Sequence, residues 1–349
     1  MEVPSIFLNR VLVEAAKKNA SSLHLTIGNF PLMRIDGQLA AVEGESIVTV
    51  DAINKIINSF TDEEERQELK ERKEIILVKV FAGGFRFRVN IFYQKDLLSL
   101  SFHHIPETVK SLSELRLPPV LSGVVKLNSG LFVIAGAYGS NKTMTAAALI
   151  EEVNRNYRRR VITIEDPIEN LFVNKKSLIE QRQVGRDVKS VIDGLYYCLE
   201  EDVDLIYVGK IRKDFKSAIP LILELAAGNS LVILEIDIDS SVRVIEKIFN
   251  SLGETTSVEA ARYNLADVLF GVITQKLIPR IGGGMVMAAE VLLANPAVKS
   301  LIREGKIYQL ESIMQTSRKE GMISMVKSLE ELIKTGEIKQ ENAGLPPNF

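Results

Sequence analysis

The sequence predicts two successive folding units, a small α+β domain followed by a larger α/β domain built on a mostly parallel sheet. The chain has 349 residues, more than one core usually organises, so two domains with separate cores are expected. Hydrophobic residues make up 46% of it and charged residues 25%, a globular balance without the charge excess of a disordered chain. The patterning also changes midway: strands dominate before Pro106, and strand alternates with helix after Pro119.

Along the first domain, Ile6 to Lys18 carries Val11, Leu12, Ala15 and Ala16 at helical spacing, with Asn19 as a stop. Leu23 to Ile27 alternates as a strand, Gly28-Asn29 turns the chain, and Asp36-Gly37 after Met33 to Ile35 is a hairpin signal. Val48 to Phe60 and Asp62 to Lys70 read as helices; Ile75 to Phe81, Phe85 to Phe92 and Leu97 to His104 read as strands. The first domain is therefore expected over residues 1–106, with a linker over 107–119 marked by Pro106 and Leu117-Pro118-Pro119.

The second domain, residues 120–349, has the rhythm of a sheet covered by helices. Strands are expected at Leu131 to Ala135, Val161 to Ile164, Leu205 to Val208 and Leu231 to Ile236. Helices fall between them at Lys142 to Asn156, Val188 to Leu199 and Lys216 to Ala227. Gly282-Gly-Gly284 marks a hairpin between Leu277 to Ile281 and Met285 to Leu293, and the chain is expected to be helical from there to about Lys339. Met314, Met322 and Met325 have helical spacing and read as core.

Composition also limits function. The net charge of −2 lacks the basic excess that usually marks a nucleic-acid partner. Cys198 is the only cysteine, which excludes an internal disulfide and fits a reducing, cytoplasmic setting. Met1 to Leu8 has no basic head followed by an apolar core, and the apolar runs Leu131 to Ala135 and Leu231 to Leu234 are too short to span a bilayer. Membrane association is expected only through partners.

One motif carries chemistry. Gly136-Ala-Tyr-Gly139-Ser140-Asn141-Lys142-Thr143 lies between an apolar strand and a helix, where a G-x-x-x-x-G-K-[ST] phosphate loop belongs. In such a loop, backbone N–H groups and a helix N-terminus surround the phosphates, the lysine contacts the terminal phosphates and the hydroxyl binds Mg²⁺. Gly136, Gly139, Ser140, Asn141, Lys142 and Thr143 are thus the candidate nucleotide-binding residues, with Thr143 the candidate metal ligand. Asn141 replaces the motif's second glycine, and asparagine tolerates positive φ better than most residues. By itself the motif also suits a strand-turn-helix with a surface lysine.

Motifs across the rest of the chain carry a resemblance. Asn19 to Leu25, Arg34-Ile-Asp-Gly37, Phe85 to Asn90, Ile164-Glu-Asp-Pro-Ile-Glu169, Gln181-Arg182, Asn295 to Glu304, Gln315-Thr316, Glu320-Gly-Met322 and Pro347-Asn-Phe349 resemble signatures of the PilT and PilU pilus retraction ATPases within the secretion ATPase superfamily. These segments run in order through nearly the whole chain. The resemblance implies a PAS-like N-terminal domain, a RecA-like P-loop core with a helical C-terminal region, and a hexameric ring with ATP between subunits. It also implies a part in retraction for the Asn295 to Glu304 segment, and a role in twitching motility for the protein.

Against that pattern the chain departs at several positions. Glu165, in the intact acidic box, is the surviving candidate catalytic residue. Lys210 stands where the family has its catalytic glutamate, and Ser230 and Asp237 stand where it has histidines. Asp96 and His103 stand where it has arginines of the N-terminal domain, and Glu200 where it has another. The substituted positions are expected to converge on one pocket. Two outcomes for that pocket stand open: Lys142 and Thr143 bind ATP, weakly or without Mg²⁺, or Lys210 pairs with Glu165 or Asp166 and closes the site.

The expected function is a catalytically impaired retraction-ATPase paralogue, a structural or regulatory partner in pilus retraction. The expected assembly is a homo-hexamer, or a mixed ring with an intact PilT-like ATPase, at the pilus platform protein of the inner membrane. A working ATP-hydrolysing motor using Glu165 and a nucleotide-sensing scaffold ring are the alternatives.

Overall fold

A computed structural model describes residues 4–252 and 257–344. The terminal Pro347-Asn-Phe349 signature lies outside the described residues. The chain divides into two compact units, with the main division between Thr108 and Val109 and with Gly282–Met285 assigned to the first.

The first unit is built from α1 (Pro4–Lys17), β1 (Ser22–Thr26), β2 (Leu32–Ile35), β3 (Gln38–Ala41), α2 (Val50–Phe60), α3 (Glu63–Arg72), β4 (Glu74–Val80), β5 (Arg86–Gln94) and β6 (Leu97–Ile105). Its strands form one antiparallel sheet in the order β3-β2-β1-β6-β5-β4. Alternation decides which face is buried: Leu23 and Leu25 of β1 enter the core, whereas His24 between them is half-buried and bonds Ser22 Oγ through Nε2 at 2.8 Å. Val11 and Leu12 of α1 and Ile53, Ile56 and Ile57 of α2 pack into the same core. Phe60, Phe81, Phe87 and Phe102 meet edge to face within it.

The helix start predicted at Asp62 is a full capping box. Glu65 N donates to Asp62 Oδ1 at 2.8 Å, and Asp62 N donates to Glu65 Oε2 at 3.2 Å. Asp62→Ala is expected to cost about 1 kcal/mol in urea unfolding, the usual magnitude of a lost cap; an unchanged midpoint would contradict it. Asp96 and Lys95 both have positive φ, 59° and 49°, and form the two-residue turn between β5 and β6. His103 donates through Nδ1 to Ser21 O, 3.2 Å away, and burial followed by the Arg88 charge lowers its pKa to about 4. It is therefore neutral at pH 7, and neither Asp96 nor His103 supplies the cation that an arginine would.

The second unit begins earlier than the expected linker allowed. Leu117 is buried together with Leu121, Val124 and Val125 of a 3₁₀ segment, Pro119–Lys126, so this stretch belongs to a core. There follow β7 (Gly130–Gly136), α4 (Lys142–Asn156), β8 (Arg160–Glu165), β9 (Leu178–Gln183), α5 (Val191–Glu200), β10 (Leu205–Val208), α6 (Phe215–Ala227), β11 (Leu231–Ile236), α7 (Ser241–Leu252), α8 (Val258–Val268), β12 (Leu269–Pro279) and β13 (Met285–Leu293). Helices α9 (Pro296–Glu304), α10 (Leu310–Thr316), α11 (Met325–Lys334) and α12 (Gln340–Ala343) complete it.

The sheet order is β13-β12-β7-β11-β10-β8-β9. All pairings from β12 through β9 are parallel, and β7, β10 and β11 are buried along their whole length. This explains their continuous apolar runs, since helices cover both faces of such a sheet. Because the chain moves from β7 out to β8 and later returns to β11 and β12, β7 lies inside the sheet, at the point where the strand order reverses. Open α/β sheets bind ligands at the carboxyl edge of such a point. Met314 and Met322 are core residues as predicted. Asn295 caps α9 through Val298 N at 2.9 Å and donates to Glu320 Oε2 at 2.9 Å, which joins two of the signature segments.

Candidate nucleotide site

The carboxyl edge of the parallel sheet collects the functional side chains because each lies at or shortly beyond the carboxyl end of a strand. β7 ends at Gly136 and opens into the loop that starts α4. Gly136 has φ 149°, and a Cβ there would lie 2.3 Å from Ser140 Oγ and 2.5 Å from the Gln275 carbonyl oxygen. Gly139 and Asn141 turn the loop with φ 78° and 71°, so asparagine replaces the motif's second glycine without changing the path. Lys142 begins a helix of 15 residues, whose first N–H groups have no helical acceptor. Ser140 Oγ is buried and has no hydrogen-bond partner.

Lys142 folds back on its own loop. Its side chain is 4% exposed, and Nζ donates to Gly136 O and Ala137 O, both at 3.0 Å, and to Asp237 Oδ1 at 2.9 Å. Lys210, just beyond β10, takes the other carboxylate oxygen, Asp237 Oδ2. Asp237 is thus a bridge between two ammonium groups. Burial raises its pKa, but hydrogen bonds from Lys210 and Lys142 outweigh that and hold it below the ordinary value.

Two more carboxylates lie deeper. Glu165 ends β8 and is 4% exposed. Its Oε1 accepts from Thr163 Oγ1 at 2.7 Å and from Gln181 Nε2 at 3.3 Å, yet burial pushes its pKa up to about 7. Glu235, one residue from the end of β11, accepts from Tyr207 OH at 2.9 Å and from Thr143 Oγ1 at 3.2 Å, and burial raises its pKa too. Asp166 pairs with Arg212 at 2.9 Å.

These contacts correct two expectations. Lys210 binds neither Glu165 nor Asp166; the aspartate standing in a histidine's place captures it instead. Nor do the substituted positions of this unit converge. Ser230 precedes β11 and donates to Val203 O at 2.7 Å, at the amino edge of the sheet, about 20 Å of strand away from Asp237. Glu200 ends α5 beside Glu201, which pairs at 2.6 Å with Arg160 at the start of β8, so it too lies at the amino edge. Ser230 and Asp237 are seven positions apart across one strand, and two residues so placed sit at its opposite ends.

The residues that sequence reasoning assigned no role are Glu235, Tyr207 and Gln181. A signal existed for Glu235: it is the one charged residue in the apolar run from Leu231 to Ile236. Tyr207 has no such signal, since tyrosine is common in strands.

The loop fits polyphosphate: a cradle too tight for a Cβ, an unpartnered buried hydroxyl and a helix N-terminus all belong to residues 136–142. The groups around it are already engaged with one another: the Lys210 ammonium stands beyond β10, the Asp237 carboxylate is held by Lys142 and Lys210, and the Thr143 hydroxyl donates to Glu235.

Comparison with known proteins agrees with this architecture. The family model described as "Type II/IV secretion system protein" matches residues 3–343. The chain is 33% identical over 346 residues to the Type IV pilus retractation ATPase PilT of Pseudomonas aeruginosa, covering 98% of this chain and 99% of that one. It is 28% identical to the Type IV pilus ATPase PilU of the same organism, covering 96% and 86%. The crystal structure of the pilus retraction motor PilT with bound ADP superposes with a TM-score of 0.81 at 34% identity, covering 97% of each chain. The RecA-like core, the ordered signatures and these similarities agree, and the chain belongs to the PilT/PilU-type pilus retraction ATPases of the Type II/IV secretion system protein family.

Proposed function

We propose that this chain is a catalytically impaired retraction-ATPase subunit that retains a nucleotide pocket and acts as a structural or regulatory partner in type IV pilus retraction. The observation that carries the reading is the Lys142–Asp237–Lys210 bridge. By resemblance, Lys210 occupies the place of the family's catalytic glutamate, and a lysine cannot position water as a carboxylate does. Loss of a positioned base costs about 10²- to 10⁴-fold in rate. Asp237 adds an anion against the phosphate-binding lysine.

The partner role is supported by similarity to both PilT and PilU, two related ATPases of one organism. The proposed assembly is a ring, a homo-hexamer or a mixed ring with an intact PilT-like subunit, at the cytoplasmic side of a pilus platform protein. Among the described residues, no helix is long and apolar enough to cross a membrane.

Phosphate release by the purified chain, alone and mixed with an intact PilT relative, tests the reading. Alone, with Mg²⁺ present, turnover is expected at least about 10²-fold below that of the relative. Mixing is expected to change the relative's rate. Lys210→Glu alone is expected not to restore turnover, because the arginines and histidines that the family carries at the other substituted positions are missing as well. Turnover near the relative's own rate, abolished by Lys142→Ala, would refute impairment. A second reading, a working ATPase, draws on Glu165, whose pKa of about 7 suits a general base; the same assay separates the two.

A further inference from the structure

We propose that the phosphate loop of this chain binds a nucleoside triphosphate without a divalent cation, the Lys210 ammonium supplying the charge that a metal ion supplies elsewhere. This rests on the reading that the pocket still takes nucleotide, and is independent of whether hydrolysis is lost.

The bridge itself shows the recognition chemistry. Lys142 and Lys210 each donate to a different oxygen of one carboxylate, Asp237. Two oxygens on one anionic centre are also what a phosphoryl group offers. Asp237 therefore occupies the position of an anionic ligand and holds both ammoniums turned toward it.

Its side chain is 31% exposed, against 4% for Lys142, and it follows the last residue of β11, where the backbone is no longer held in the sheet. The carboxylate can turn to solvent when a phosphate arrives, while Lys142 stays fixed at the start of α4. Ser140 Oγ, buried without a partner, is a separate indication that the loop is built for a ligand with further acceptors. The absence of a side chain at Gly136 leaves that hydroxyl its room, since a Cβ there would lie 2.3 Å from it.

Charge balance explains why the metal becomes dispensable. A glutamate with a bound divalent cation carries one net positive charge, and so does a lysine ammonium. Exchanging the first for the second preserves the attraction for phosphate. A divalent ion arriving as well would meet two ammoniums, Lys142 and Lys210, with Asp237 already turned aside by the phosphate.

Calorimetric titration of ATP into the full chain, in excess EDTA and in excess MgCl₂, decides the matter. Wild type is expected to bind in EDTA, with no gain on adding Mg²⁺. Lys210→Glu is expected to lose about 10- to 100-fold in EDTA, the scale of a charge-assisted hydrogen bond, and to regain affinity with Mg²⁺. Asp237→Ala is expected to bind about 10-fold tighter in EDTA, because the competing anion is gone. Thermal unfolding without nucleotide checks that each variant is folded; should one fail, the wild-type pair of titrations still decides. Binding seen only with Mg²⁺, Lys210→Glu equal to wild type in EDTA, or no heat for wild type and Asp237→Ala at millimolar ATP would each overturn the proposal. Phosphate release in the same two buffers reports separately on catalytic impairment: turnover with Mg²⁺ alongside tight binding in EDTA would refute impairment and leave this inference standing.

Discussion

Gly136→Ala is expected to destabilise the second unit by about 4 kcal/mol and to eliminate ATP binding. Two costs combine. The residue sits at φ 149°, where an L side chain is strained by about 1–3 kcal/mol. The new methyl would also lie 2.3 Å from Ser140 Oγ and 2.5 Å from the Gln275 carbonyl oxygen. Ser140 could rotate away, but the carbonyl belongs to the backbone of β12, which pairs with β7 and cannot retreat without breaking the sheet. Overpacking of this kind costs about 1–3 kcal/mol more. Gly139→Ala is the internal control, because its Cβ position has open space and only the φ of 78° to pay for; about 1 kcal/mol is expected. Equal urea midpoints for the two variants would contradict the close approach described for Gly136.

The second large effect concerns pH. Glu165 has its pKa raised by burial from 4.5 to about 7. Below pH 4.5 the carboxyl is protonated in both folded and unfolded chains, and stability carries no penalty from it. As pH rises from there, the unfolded chain ionises first, so it binds fewer protons than the folded one and unfolding becomes easier. The loss levels off above pH 7, at about 3 kcal/mol. Glu165→Gln keeps an oxygen to accept from Thr163 and Gln181 and removes the ionisation. Its advantage over wild type is expected to be about 3 kcal/mol greater at pH 8 than at pH 4. Glu235 shifts in the same direction, so the variant's curve keeps a residual slope. Parallel stability curves for the two proteins, measured by urea unfolding across this range, would show that Glu165 ionises freely in the fold.

Much of the fold was legible because it follows from period and punctuation. Leu23 and Leu25 alternate with His24, Asp62 and Glu65 form a cap, and Asp36-Gly37 turns β2 into β3; each is a local rule acting on neighbouring residues. Where local rules were silent, elements went unread. β12 begins at Leu269 rather than Leu277, since a strand covered on both faces shows no alternation. The helices α7 and α8 were not anticipated, and neither was β9, in which Ile179 alone is buried.

The site divides in the same way. Sequence alone determined which groups are available: a phosphate loop with asparagine for glycine, a lysine for a glutamate after β10, an aspartate after β11, and ordered signatures that identify the family. Their chemistry depends on who meets whom, and only the tertiary structure decided that. Parallel strands bring residues 142, 165, 210, 235 and 237 to one edge although nearly a hundred positions separate the first from the last, while the same strand direction carries Ser230 to the other edge from a position only seven residues before Asp237. Ion pairing then selected Asp237, not Glu165 or Asp166, as the partner of Lys210. Charge attraction acts over a few ångströms, and distances of that size are set by sheet register, which no spacing along the chain expresses.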